Sequence, residues 1–142
     1  MRRRVLAFTV LTATVLTAML LAACGDPNPI RGNWTAEDAD GRRHTLSFQN
    51  RGRALWAIEG QGVNESFEVR YVFDDESEPN RLDLTGFNRG QLQGKTLYCI
   101  LEWPSAAAFR MDCAPGEPTA EGQSVRPAGF GEHALLYMKV TR

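Results

Sequence analysis

Phe67-Glu68-Val69-Arg70-Tyr71-Val72-Phe73 alternates between large apolar and charged residues. Successive side chains of an extended strand point to opposite faces, so Phe67, Val69, Tyr71 and Phe73 share one side while Glu68 and Arg70 share the other. A helix would scatter the four apolar residues around its axis. The same period of two extends outward in both directions. Upstream, Gly32–Glu37, His44–Phe48 and Leu55–Glu59 read as strands, separated by turn signals at Ala39-Asp40-Gly41 and Asn50-Arg51-Gly52. Gly60-Gln61-Gly62 separates the third run from the strand quoted above. Downstream, an acidic loop from Asp74 to Asn80 precedes an alternating Arg81–Thr85. A turn region from Gly90 to Gly94 precedes Thr96–Leu101, which is apolar on both faces and is therefore expected to be covered on both. Pro104-Ser105 is expected to break the chain before Ala108–Cys113. A Gly/Pro-rich loop from Pro115 to Gly131 then leads to a last strand, Leu135–Val140.

Eight short strands with turns between them and no helical periodicity predict an all-β fold. The expected architecture is an eight-stranded antiparallel meander that closes into a barrel, because closure removes exposed strand edges. A two-sheet β-sandwich is the alternative. Eight strands enclose an interior that is either filled by side chains or holds one small ligand.

The chain has 142 residues. Its start is different in kind from its body. Arg2, Arg3 and Arg4 precede an uncharged apolar run from Val5 to Ala23, which ends in Leu21-Ala22-Ala23-Cys24. A positive start, an apolar stretch and small residues at the exit are the parts of a secretory signal. The cysteine directly after them resembles the lipobox of bacterial lipoproteins, which implies lipidation of Cys24. Residues 1–23 are thus expected to be a signal peptide, 24–31 a lipidated cysteine with a proline-containing tether, and 32–142 the barrel domain. The resemblance implies a protein of the cell envelope, held to a membrane by its lipid. Gly25 lacks the acidic character of an inner-membrane retention signal, which favours the outer membrane where the source has two. Removing three arginines takes the basic count from 16 to 13 against 17 acids, a net charge of −4. Nucleic acid is therefore not an expected partner, since phosphate binding requires a basic footprint.

Besides Cys24, two cysteines remain, Cys99 and Cys113. An even pair in an exported body reads as a disulfide. Residue 106 is their midpoint, so a hairpin turning near Pro104-Ser105 would set them opposite one another. No nucleophile motif, phosphate-binding loop or metal-ligand spacing stands out, and His44 and His133 lie in no ligand cluster. No enzyme activity, cofactor or metal is expected. Trp56, Phe67, Tyr71, Phe73, Phe109 and Met111 are the candidate lining of an internal ligand pocket.

Gly32-Asn33-Trp34 on the first strand, Tyr98 on a late strand, Arg126-Pro127-Ala128-Gly129-Phe130 in the last loop and a terminal strand ending in a basic residue form an ordered set. Together they resemble bacterial lipocalin-like domains of unassigned role, over about residues 32–142. By that resemblance Trp34 forms a barrel floor, with Lys139 or Arg142 stacked on its ring. The functional expectation is an envelope binding module holding a small apolar or amphipathic ligand. The alternative is a filled barrel whose long loops contact another envelope protein.

Overall fold

The strand around Phe67 lies near the middle of a continuous antiparallel meander. In the computed structural model, which describes residues 28–141, the strands are β1 (Gly32–Glu37), β2 (Arg43–Phe48), β3 (Arg53–Gly60), β4 (Val63–Asp74), β5 (Asn80–Thr85), β6 (Thr96–Ser105), β7 (Ala108–Gly116) and β8 (Leu135–Lys139). Each pairs with the next, and β8 returns to β1 through Trp34↔Lys139 and Thr35↔Met138, closing the barrel. That closure excludes the sandwich.

Register follows the alternation. Leu46 pairs with Trp56 and Trp56 with Phe67. Tyr71 pairs with Leu84, and Leu82 with Cys99. These residues face inward, and their outward neighbours are mostly polar, as burial of one sheet face requires. Gln61-Gly62 joins β3 to β4 as a two-residue loop with positive φ at both positions, 52° and 77°. Such a turn matches the right-handed twist of the strands it connects.

Two expectations change. Pro104 does not end β6, which runs on to Ser105 through a register shift between Glu102 and Ser105. Proline is accommodated there because an irregularity in the ladder requires no N–H from it. The expected tether also ends earlier than Arg31. Ile30 is fully buried, and its carbonyl accepts a 2.7 Å hydrogen bond from Trp34 Nε1. Asn28–Arg31 forms a turn, with Arg31 N–H donating to Asn28 O, so these residues belong to the folded body. Burying Ile30 removes an apolar side chain from water, which a free tether cannot do.

Residues 117–134 do not hang from the barrel. They return along the outside of β5 and β6, with a short 3-10 turn at Glu121–Val125. Close packing permits only glycine at 122, where an added Cβ would lie 1.9 Å from Glu117 O. Arg126 fastens the loop. Its guanidinium donates to Cys99 O at 2.8 Å and to Asp83 Oδ1 at 2.6 Å, and lies 5.1 Å from the Tyr98 ring. Tyr98 in turn donates its hydroxyl to Glu117 O at 2.7 Å. This explains why β6 is apolar on both faces: Leu97, Cys99 and Leu101 enter the core, while Tyr98 and Ile100 are buried on the outer side. Arg126→Ala should cost about 2 kcal/mol, because it removes charge-assisted bonds and strands Asp83 under the loop. Urea denaturation would measure the loss. Hydrogen exchange should show amides 117–131 opening faster; unchanged exchange there would mean that Arg126 does not hold the loop.

Candidate functional site

The barrel has two unlike ends. Where the described chain enters, at Asn28, the interior is filled with aromatic rings. Trp34 meets Phe109 edge-on at 4.8 Å and Trp103 at 5.7 Å, and Phe73 meets Trp103 at 6.4 Å. Tyr137 stacks on Phe109 at 5.1 Å. Lys139 places its ammonium 5.3 Å from the centre of the Trp34 ring, within the range of a cation–π contact. Arg142 and Cys24 lie outside the described residues, as does the whole segment 1–27. The rings pack against one another edge-to-face inside the barrel, and on their outer side a cleft of about 660 Å³ opens between Asn28, Arg31, Asn80, Trp103 and Lys139.

The other end, the mouth, is formed by the loops 38–42, 61–62, 86–95 and 117–134. Phe87 folds in from the β5–β6 loop and packs edge-on against Trp56 at 6.1 Å and Phe67 at 5.7 Å. Leu92 follows it. Beside them lies a cup of about 210 Å³, walled by Trp56, Leu92, Met111 and Tyr137 and bordered by the titratable side chains of His44, Asp112 and His133. A neighbouring cleft of about 340 Å³ shares Trp56 and Leu92 and adds Phe67 and Arg89. Arg89 holds its guanidinium 4.9 Å from the Phe67 ring.

The β1 residue level with His44 is small. Ala36 pairs with His44 on β2 and lies between that strand and β8, which carries Tyr137. A methyl group at 36 leaves room that a larger residue would fill. Ladder pairing of β1 with β8 also stops at Thr35, short of this level.

Electrostatics are concentrated at one corner. Asp38 Oδ2 is 3.0 Å from His44 Nε2 and 2.8 Å from Arg42 Nε, while Oδ1 accepts the backbone N–H groups of Asp40 and Arg42. The bond to His44, seconded by those to Arg42, holds the Asp38 carboxyl well below the usual carboxylate range against the opposing effect of desolvation. Burial, together with the negative charge of Asp38, pushes the Tyr137 phenol well above its ordinary value. It remains a neutral hydroxyl at physiological pH.

The residues proposed from sequence divide between the two ends. Trp56 and Met111 line the cup, and Phe67 lines the adjoining cleft. Tyr71, Phe73 and Phe109 are packed toward the floor instead; Tyr71 donates its hydroxyl to Gln49 O at 3.0 Å. Cys99 and Cys113 are bonded to each other across β6 and β7, with Cα atoms 4.0 Å apart. His44, Phe87, Leu92 and Tyr137 were not among the sequence candidates. For His44 and Tyr137 a signal was present, since His44 shares the inward parity of Leu46 and Phe48, and Tyr137 that of Leu135. Phe87 and Leu92 come from a loop, where alternation says nothing.

The fold and its site define a closed eight-stranded antiparallel barrel with a packed floor, a cross-strand disulfide and a small cup at the mouth. No protein-family model, curated protein or solved structure matches the chain.

Proposed function

We propose that the protein is a lipid-anchored binding module of the cell envelope, which holds a small amphipathic molecule in the mouth cup rather than in a deep calyx. The observation carrying this reading is the small, largely apolar space recessed among side chains at the mouth, with polar groups at its edge; the larger cleft at the other end lies outside the packed rings. Concave apolar sites with a few placed polar groups are the usual form of a small-molecule site. The anchor rests on Leu21-Ala22-Ala23-Cys24 and its resemblance to a lipobox. In that arrangement the floor faces the membrane, because the chain enters there, and the cup opens away from it.

A second reading is favoured by one feature. Leu136, Met138 and Val140 project outward along the β8 side and are exposed. Apolar residues grouped in this way suit contact with another protein.

Native mass spectrometry of the protein extracted from membranes in mild detergent tests both readings. The expected spectrum shows a mature chain beginning at Cys24 with acyl mass attached, and a further small-molecule adduct lost on collisional activation. A chain that keeps its signal segment would overturn the anchor. A spectrum with no small-molecule adduct but a retained protein partner would replace the first reading by the second.

A further inference from the structure

The cleft of about 660 Å³ on the outer side of the floor carries two cations, Arg31 and Lys139, and no acid among its lining residues. Both cations are placed by their neighbours. The Lys139 stem crosses Gly32, where an added Cβ would lie 3.5 Å from Lys139 Cε. Its ammonium stands 5.3 Å from the centre of the Trp34 ring, and no carboxylate pairs with it among the described residues. The Arg31 guanidinium is turned by a hydrogen bond to the Asn50 side chain. Ser105 adds a hydroxyl to the same lining. Its Oγ accepts from Ala107 N–H at 3.2 Å, so its own hydrogen remains to donate. A guanidinium, an ammonium and a donating hydroxyl around one space are suited to an oxyanion, and arginine and lysine both recognise phosphate.

The position of the cleft indicates which oxyanion. Asn28 lines it and follows Cys24 by four residues. A fully extended chain spans about 3.3–3.6 Å per residue, so a lipid on Cys24 would keep this rim within about 14 Å of the membrane surface. Phospholipid phosphates occupy that surface. The half-buried Trp103 lines the cleft beside the two cations, and tryptophan with a snorkelling arginine or lysine suits a membrane interface. The acidic loop Asp74–Asn80 stands at the same end, tied through Asn80 Nδ2 to Asp75 O and Ser77 O. Its carboxylates, Asp74, Asp75, Glu76 and Glu78, prevent this end from acting as a polybasic surface. Attraction is therefore confined to one close anion in the cleft. Asp26 lies outside the described residues.

We infer that this cleft receives the phosphodiester head of a phospholipid from the membrane that holds the anchor. Arg31, Lys139 and Ser105 meet the phosphate, while Pro29, Trp103 and Ala106 meet the first carbons of the lipid chains. The inference rests on the lipid-anchored reading above and is independent of the cup.

The test uses the chain from residue 24 onward with Cys24→Ser, which keeps all eight strands and carries no acyl group. Four probes are titrated at neutral pH: dihexanoylphosphatidylcholine below its micelle concentration, dihexanoylglycerol, hexanoate and inorganic phosphate. Binding is followed through the indole N–H resonances of Trp103 and Trp56. The phospholipid is expected to shift Trp103, leave Trp56 in place, and bind at least tenfold more tightly than each of the other three. Equal binding of dihexanoylglycerol would overturn the part given to the phosphate. Equal binding of hexanoate would replace the phosphodiester by a carboxylate, and equal binding of inorganic phosphate would make the source a free anion instead of a lipid. A shift at Trp56 without one at Trp103 would place the lipid in the cup and overturn the assignment, as would the absence of any shift. Lys139→Gln should weaken phospholipid binding several-fold, and Lys139→Arg should restore most of it. Unchanged affinity in Lys139→Gln, or an equal loss in both variants, would remove the cation from the site. The anchor itself stands or falls on the mass of the membrane-extracted chain, so failure of that reading is distinguishable from failure of this one.

Discussion

Phe109→Ala is expected to lower the stability of the barrel by about 4 kcal/mol, within the usual cost of about 3–5 kcal/mol for emptying a buried phenylalanine site. Phe109 is fully buried and is in contact with three other rings, Trp34, Trp103 and Tyr137. Those rings project from β1, β6 and β8, whose backbones are held by ladder hydrogen bonds around a closed circuit. They cannot move inward far enough to refill the space, so the cavity contribution adds to the lost transfer free energy. For a domain of this size the melting temperature should fall on the order of 15 °C. Phe109→Leu retains most of the volume and should cost about 1–2 kcal/mol. Urea and thermal denaturation of both variants provide the measurement. A loss below about 1.5 kcal/mol for the alanine variant would mean that the floor half is not closely packed.

Removing the Cys99–Cys113 bond comes next in size. The two residues are 14 apart in sequence, and closing a loop of about 15 residues stabilises by roughly 3 kcal/mol in the chain-entropy model. A double substitution, Cys99→Ala with Cys113→Ala, should therefore still fold but melt about 10 °C lower. It should still fold because the ladder from Thr96↔Gly116 to Glu102↔Arg110 aligns the two strands independently. The parent protein should show the same fall after reduction. A change of less than about 1 kcal/mol would show that the hairpin already restricts the unfolded chain, so that the bond removes little further entropy.

Most of the fold was legible in the sequence because one face of every strand must be buried. Phe67, Val69, Tyr71 and Phe73 announce that face by alternation, and the other strands repeat it. Turn chemistry at Asp40-Gly41, Arg51-Gly52 and Gln61-Gly62 supplied the punctuation. Burial of both faces of Thr96–Leu101 was legible for the same reason, although the covering element was not. Nothing in Pro115–Gly131 announces that Arg126 reaches back to Cys99 and Asp83, positions 27 and 43 residues away. The part played by Ile30 was hidden by its neighbours: two prolines nearby read as tether, and only the closed floor has a place for the side chain.

The site was less legible than the fold. Inward-facing aromatics are common to any filled barrel and any ligand-binding one, so alternation alone could not say which rings pack and which line a space. By itself, the sequence determined the all-β class, the eight strands, the face each residue presents and the pairing of Cys99 with Cys113, because these depend on local periodicity and on sequence spacing. Tertiary structure alone decided that Tyr71, Phe73 and Phe109 fill the floor while Trp56 and Met111 border a cup. It also decided that His44, Asp112, His133 and Tyr137, from three strands and a loop, meet at that cup. Those outcomes depend on the stagger at which β8 closes on β1 and on the loop that carries Phe87, which bring together residues from five separate strands whose neighbourhood no local pattern records.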